Sequence, residues 1–217
     1  TPTHTLSLHD ALPILPLGKG ADDFRIMVMD TGTVRPGLEK STYKIRRREC
    51  QQLVGLLRDN GYDIACLADI KDCSLYEKIM NRFSTQNPDL CSRLSYIYNA
   101  QKRFDTMLDA WRKGDIETVG QVFRQDGIEL RDLYQISGPQ LETMCDIVRS
   151  VPGVLGERML GGGDKGASGA LLKAQACDSV VKAVQTGYPR SHPEYQEKYA
   201  VHTCRVVDGV KIFDGIL

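Results

Sequence analysis

The chain has 217 residues, 28 of them Lys or Arg and 28 Asp or Glu, for a formal net charge of zero. That length sets an expectation of one large domain or two small ones, and 41% hydrophobic with 26% charged residues is ordinary for a soluble globular chain. Nothing in the overall charge would recruit a polyanion such as nucleic acid. The lack of any run of 18 apolar residues gives no membrane span.

The seven cysteines stand at 50, 66, 73, 91, 145, 177 and 204, with no CxxC pair. An odd, dispersed set fits free thiols in a reducing cytosol better than a disulfide framework. The four histidines are scattered, which argues against a Cys/His metal site.

Residues 1–14, Thr-Pro-Thr-His-Thr-Leu-Ser-Leu-His-Asp-Ala-Leu-Pro-Ile, lack the basic start and long apolar centre of a signal peptide. They resemble the translated sequencing-adapter tails that end metagenomic gene fragments. They are treated as a non-native tail, with the native chain expected to begin further upstream. Gly18-Lys19-Gly20 follows, without the spacing or the Ser/Thr of a phosphate-binding P-loop.

Phe24–Met29 alternates in the manner of a strand, and Asp30-Thr31-Gly32 ends it with a turn signal. Ser41 can cap a helix over about 42–57, with Cys50, Leu53, Val54 and Leu57 on one face. Its first turns carry Lys44, Arg46, Arg47 and Arg48, either a solvated face or a phosphate-facing one. A further helix runs over about 74–83. The longest runs from Pro88 to about Lys113, with Leu90, Leu94, Ile97, Phe104, Leu108 and Trp111 as a core stripe that Gln101 alone interrupts. Asp115 caps the next, which buries Val119, Val122 and Phe123, and Gly127 weakens it near its end. Ser137-Gly-Pro-Gln140 reads as a capping box for a helix that buries Leu141, Met144, Cys145 and Val148.

Gly156 to Gly169 then holds six of the twenty glycines. An apolar turn precedes it and Ala170-Leu171-Leu172 follows, so strand, glycine turn, strand is expected. Two roles stay open at this point. The glycines can simply relieve crowding in a tight hairpin, or their successive N–H groups can form an anion-binding concavity. A helix over about 176–188, a polar loop over 189–196 and strands around Asp208-Gly209 complete the chain. The order β-α-α-α-α-α-β-β-α-β-β is an α+β fold, most economically a helical layer on a mainly antiparallel sheet.

Three stretches line up in order with one family. Ser41-Thr42-Tyr43-Lys44-Ile45-Arg46-Arg47-Arg48-Glu49-Cys50 resembles the S-x-Y-x-x-R-R-x-x-C segment of galactokinases, with Arg35 matching an arginine eight residues before the tyrosine. Leu130-Arg131-Asp132-Leu133-Tyr134-Gln135-Ile136-Ser137 resembles their L-R-D-x-Y-x-x-S segment, and Gly156–Gly169 resembles the third motif of the GHMP kinases. The resemblance covers about residues 22–213.

The resemblance implies a two-layer GHMP-kinase C-terminal domain over 41–217, with 15–40 as the end of an N-terminal kinase domain. It implies ATP-dependent phosphorylation of the anomeric hydroxyl of galactose or a related sugar, with ATP and Mg²⁺ as the parent's cofactors. Small-molecule sugar and ATP are the implied partners, with no nucleic acid or membrane. Tyr43 is the implied sugar contact, and Arg35 a charge behind the sugar pocket. Gly161, Gly162, Gly163 and Gly166 would shape a wall near the nucleotide phosphates, with Asp164 and Lys165 among them. The family's first two motifs and its catalytic aspartate have no counterpart here, so the fragment is expected to be inactive alone.

The departures bear on the substrate. Asp164-Lys165 replaces Phe-Gly of the third motif, and Tyr96-Ile97-Tyr98-Asn99-Ala100 replaces a His-Val-Val-x-Glu segment. Galactose, a galactose derivative, arabinose and a uronic acid all stay open. An alternative is a kinase-like sugar sensor or regulator that keeps the fold without catalysis.

Overall fold

The computed structural model describes residues 17–18, 23–34 and 42–206. Arg35, Ser41, the 1–14 stretch and the Asp208-Gly209 turn lie outside the described residues. The elements are β1 (Phe24–Asp30), α1 (Thr42–Asp59), α2 (Cys73–Phe83), α3 (Pro88–Lys113), α4 (Ile116–Asp132), α5 (Pro139–Arg149), β2 (Val154–Met159), β3 (Ala167–Lys173), α6 (Cys177–Ser191) and β4 (Ala200–Cys204). The described strands form one sheet in the order β2-β3-β1-β4, antiparallel throughout. β1, from the 15–40 stretch, is therefore a central strand. It pairs Phe24 with Lys173 on one side and Ile26 with Cys204 on the other.

Strand alternation sorts side chains onto two faces. Met27, Met29, Ala170 and Leu172 point to one, where they pack with Met144 and Val148 of α5 and Val180, Val184 and Tyr188 of α6. Phe24 and Leu171 point to the other and meet Ala110, Ile116 and Val119 at the junction of α3 and α4. A third core sits away from the sheet, where Leu53, Val54 and Leu57 of α1 meet Ile79 and Phe83 of α2 and Leu90 and Leu94 of α3. Each such fully buried side chain contributes about 1.5–3 kcal/mol. Among the described residues, no helix is long and apolar enough to cross a membrane.

The helix stops and starts follow local chemistry. Asp72 and Asp115 cap α2 and α4 by accepting from the backbone N–H of Leu75 and Thr118. The expected box at Ser137 does not form. Gly138 is the N-cap of α5, and the Ser137 hydroxyl donates instead to the Glu142 carboxylate. The stripe on α3 also departs from expectation at Phe104, which is 54% exposed, whereas Arg93 is buried at 1%. α6 runs on to Ser191 and a 3-10 turn, Pro193–Tyr195, takes up part of the expected loop.

Gly127 lies near the end of α4, buried within its last turns. It is one of the glycines that bring α4 against β2. A Cβ at Gly127 would stand 2.6 Å from that of Arg158, and one at Gly156 would stand 1.8 Å from the Gly120 carbonyl oxygen. The helix lies too close to the strand for any side chain at these crossings. Glu157, 1% exposed, is locked there by Arg124 (Nε–Oε2, 2.9 Å) and Arg149 (Nε–Oε1, 2.7 Å).

Candidate functional site

On α1, Tyr43, Arg47, Cys50, Gln51 and Val54 follow helical spacing and share one face. That face lines a cavity of about 640 Å³, closed by residues 65–68, by Ile97 of α3 and by Tyr134. Tyr43 is 50% exposed, with a partly wet ring at the cavity wall. The Tyr134 hydroxyl lies 3.8 Å from Cys50 Sγ, and its ring leans on Tyr96 at 4.8 Å between centres. Burial pushes the Tyr134 phenol above its ordinary pKa, and Cys50 beside it adds to the effect. It therefore stays a neutral hydroxyl that can donate or accept. The Cys50 thiol is raised by burial in the same way.

Tyr134 is set by the turn that follows α4. Gln135 holds a positive φ of 52°, which an ordinary residue keeps only when its surroundings impose it. Two arginines supply that constraint. Arg93 from α3 donates to the Glu49 carboxylate at 2.7 Å, to the Gln135 side-chain oxygen at 2.9 Å and to the Leu133 carbonyl. Arg46 from α1 donates to the Gln135 carbonyl at 2.9 Å and holds both Glu49 oxygens at 2.7 and 2.8 Å. Burial pushes the Glu49 carboxyl up, but Arg93 and Arg46 outweigh it and hold the group below its ordinary value. Of the three consecutive arginines, Arg46 is thus structural, Arg47 lines the cavity, and Arg48 is exposed.

The glycine stretch is a strand-turn-strand, β2 and β3 flanking residues 160–166. Gly161, Gly163, Asp164 and Gly166 have φ of 67°, 73°, 65° and 104°. Gly163 is required on two counts: its φ, and a Cβ that would lie 2.2 Å from the Ile136 carbonyl oxygen. The amides of its second half are taken, one within the turn and two by neighbouring segments. Asp164 N–H donates to Ile136 O at 2.6 Å, Lys165 N–H to Gly163 O at 2.8 Å, and Gly166 N–H to Thr33 Oγ1 at 3.0 Å. The amide donors of 164–166 are already paired, so they do not form an anion cradle. The turn is a wall. Asp164 and Lys165 are half-buried in it, and open space surrounds the Cβ position of Gly162.

The turn after β1 fastens this wall. Thr31 N–H donates to Gly166 O at 2.9 Å, the Thr31 hydroxyl adds a second bond at 2.5 Å, and Tyr188 from α6 donates its hydroxyl to Thr31 O at 2.8 Å. The sequence pattern marked Asp30-Thr31-Gly32 only as a turn. It missed Thr31, Thr33, Tyr188, Arg93 and Gln135 as supporting groups. A hydroxyl on each side of a glycine was the available signal for the first two.

Segment 134–138 thus joins the matched stretches. Tyr134 shares the cavity with Tyr43, Gln135 is held from α1 by Arg46, and Ile136 receives the glycine turn. Among the described residues, no member of the 160–166 turn lines the Tyr43 cavity. No group of three or more His, Cys, Asp or Glu is placed to hold a metal among those residues either.

No model of a known protein family matches the chain. Individual proteins do. The galactokinase of Chloroflexus aurantiacus is 32% identical over 166 residues, 76% of this chain and 41% of that protein. The galactokinase of Limosilactobacillus reuteri is 29% identical over 195 residues, 90% of this chain and 47% of that protein. The chain spans less than half the length of either. Among solved structures, Lactococcus lactis galactokinase complexed with galactose matches with a TM-score of 0.74 at 22% identity, over 86% of this chain and 46% of that one. The mevalonate kinase of L. major in complex with R-mevalonate matches with a TM-score of 0.53 at 13% identity, over 89% of this chain and 45% of that one. Sequence likeness over most of its length makes the chain a homologue of part of the galactokinases, and the two solved kinases share its fold.

Proposed function

We propose that the chain is the C-terminal part of an ATP-dependent sugar kinase that phosphorylates the anomeric hydroxyl of galactose or a close relative. The observation that carries this is the joining of the three matched segments through residues 134–138. Tyr43 and Tyr134 would offer two phenolic hydroxyls to a sugar in one cavity, at the right scale for a monosaccharide. Arg47 on the same wall would favour an electron-rich oxygen or an acidic sugar. Arg35 would stand behind that pocket. The glycine wall, with Asp164 and Lys165, would border the nucleotide.

The chain's own contribution is positioning. Arg93, Arg46 and Glu49 hold Tyr134, and Thr31 and Tyr188 hold the glycine wall, so the sugar meets a preformed surface. ATP supplies the phosphoryl group, and Mg²⁺ offsets its charge, when bound to the parent. The glycine wall would border the nucleotide, and we assign the rest of the nucleotide and metal sites to the parent's remaining length. In this proposal residues 15–40 end an N-terminal kinase domain whose strand β1 completes the sheet. The free thiols at all seven cysteines suit a reducing cytosol.

The test has two parts. The purified 217-residue chain should turn over no ATP with galactose; robust phosphorylation would overturn the fragment assignment. In the parent with its upstream sequence restored, Tyr43→Phe should raise the sugar KM about fivefold to tenfold, the worth of one hydroxyl contact. An unchanged KM removes Tyr43 from the site. Sugar binding by the parent without turnover would favour a sensor over an enzyme.

A further inference from the structure

The two faces of the sheet are not covered alike. Met27 and Met29 of β1 and Leu172 of β3 are fully buried under α5 and α6. On the opposite face, Phe24 at the start of β1 is buried at 8% exposure under the α3–α4 junction. Ile26 and Val28, the next residues of β1 on that face, are only half-buried. A cavity of about 450 Å³ opens there, between Ile26 and Leu171 of the sheet, Met107, Leu108 and Trp111 of α3 and Phe123 of α4. Leu160, at the head of the glycine turn, lines it too, and every residue lining it is apolar.

An antiparallel sheet can turn one face to water, but such a face carries polar side chains in alternation. Ile26, Val28 and Leu171 are what a covered face carries, and a contiguous apolar patch marks a contact surface. The path of the chain says what lies beside it. Leu17 packs into the same cluster as Met107 and Trp111, and Gly18 N–H donates to the Trp111 carbonyl at 3.0 Å. The backbone at Gly18 lies against the Arg112 carbonyl, too close for a side chain. Whatever precedes Leu17 therefore departs from the last turn of α3, at the mouth of the cavity. In the two galactokinases matched above, the shared part is only 41% and 47% of the protein. We propose that this cavity is the seat of the parent's upstream half, which lays apolar side chains between α3, α4 and the open part of the sheet. The contact runs from the departure point at Trp111 to Leu160, and so holds that half against the glycine wall. This rests on the proposal that the chain is the C-terminal part of a longer kinase, and adds which surface the upstream half covers.

Thiol footprinting tests it. Leu108→Cys is introduced into the 217-residue chain and into the parent with its upstream sequence restored. Alkylation by N-ethylmaleimide is then followed at each cysteine by peptide mass spectrometry. The cysteine at 108 should react readily in the 217-residue chain and at least about tenfold more slowly in the parent, where it is covered. Cys73, exposed on α2, is the internal standard and should keep its rate in both. Phe123→Cys, from the facing helix, repeats the comparison should Leu108→Cys fail to fold. Equal rates in the two proteins would overturn the proposal, because the cavity is then open in the parent, as a small-molecule site would be. Protection in the 217-residue chain would overturn it as well: at every concentration, the chain covers its own cavity; only as concentration rises, a second copy does. The rates do not depend on turnover. A parent that protects the cavity yet phosphorylates no sugar sinks the kinase proposal alone, and an active parent with an open cavity sinks this one alone.

Discussion

Replacing Arg93 by Met tests the support beneath Tyr134. The side chain is 1% exposed and serves Glu49, Leu133 and Gln135 at once. Methionine keeps much of the stem volume and removes the charge and the donors. The three partners do not suffer equally. Glu49 keeps both bonds from Arg46 and is 21% exposed, so it is not left as an uncompensated buried charge. The Leu133 carbonyl keeps the Ser92 hydroxyl at 3.0 Å. Gln135 is itself exposed, so its side-chain oxygen can turn to water. No buried charge is left unpaired, so the cost falls to that of lost charge-assisted hydrogen bonds, about 1.5–3 kcal/mol. Against a total stability of about 5–15 kcal/mol, that is a large share. Urea denaturation of the 217-residue chain should show a lower midpoint at unchanged slope. A double-mutant cycle with Glu49→Gln should show coupling between the two sites. A loss below about 1 kcal/mol would mean that Arg93 is merely accommodated, and that Gln135 keeps its backbone without it.

Four further outcomes follow from the same structure. Glu49 has a depressed folded-state pKa, so its contribution is present above its ordinary value of 4.5 and is lost as pH falls through the folded value; acid titration of stability should show this loss below about pH 4.5, and Arg93→Met should flatten it. Gly163→Ala should cost about 2–4 kcal/mol from its left-handed backbone and the Ile136 clash, whereas Gly162→Ala should stay within about 0.5 kcal/mol, both read by thermal melts. Tyr188→Phe should cost about 1–2 kcal/mol by stranding the Thr31 carbonyl, and equal stability would remove that bond from the support of the glycine wall. Burial pushes the Cys145 thiol up to about 12 and raises Cys91 as well, so both should resist a thiol reagent at pH 8 until unfolding, while exposed Cys66, Cys73 and Cys204 react at once.

Element type was largely legible because it is local. Apolar periodicity and caps located α1 to α6, and alternation located β1. The failures share a cause. Ser137 reads as a cap by spacing, but Glu142 takes its hydroxyl, a competition between neighbours that a four-residue pattern does not hold. Phe104 fits the stripe of α3, but at that turn the helix turns Arg103 and Met107 inward instead and leaves Phe104 54% exposed. Arg93 reads as a surface arginine until Glu49, 44 residues away, supplies its counter-charge. Gly127 looks like a weakness in a helix until β2 is brought within contact of it. Of the site, Tyr43 and the glycine turn came from matching segments in order. The stretch 130–137 was matched as well, but that it joins the other two rests on contacts such as that of Asp164 N–H with the Ile136 carbonyl, which no local pattern holds.

The central place of β1 has a consequence for synthesis. Thr31 and Gly166, which bond across the β1–β3 pair, are 135 residues apart. At ~5–20 residues per second, β1 leaves the ribosome on the order of ten seconds before its first partner exists. The helical core of α1, α2 and α3 needs no strand and can condense meanwhile. β1, with two unpaired edges and an apolar face, cannot. The interval is a window for aggregation or chaperone capture. Slowing translation within α3 or α4 should therefore lower the soluble yield, whereas slowing it after β4 should not.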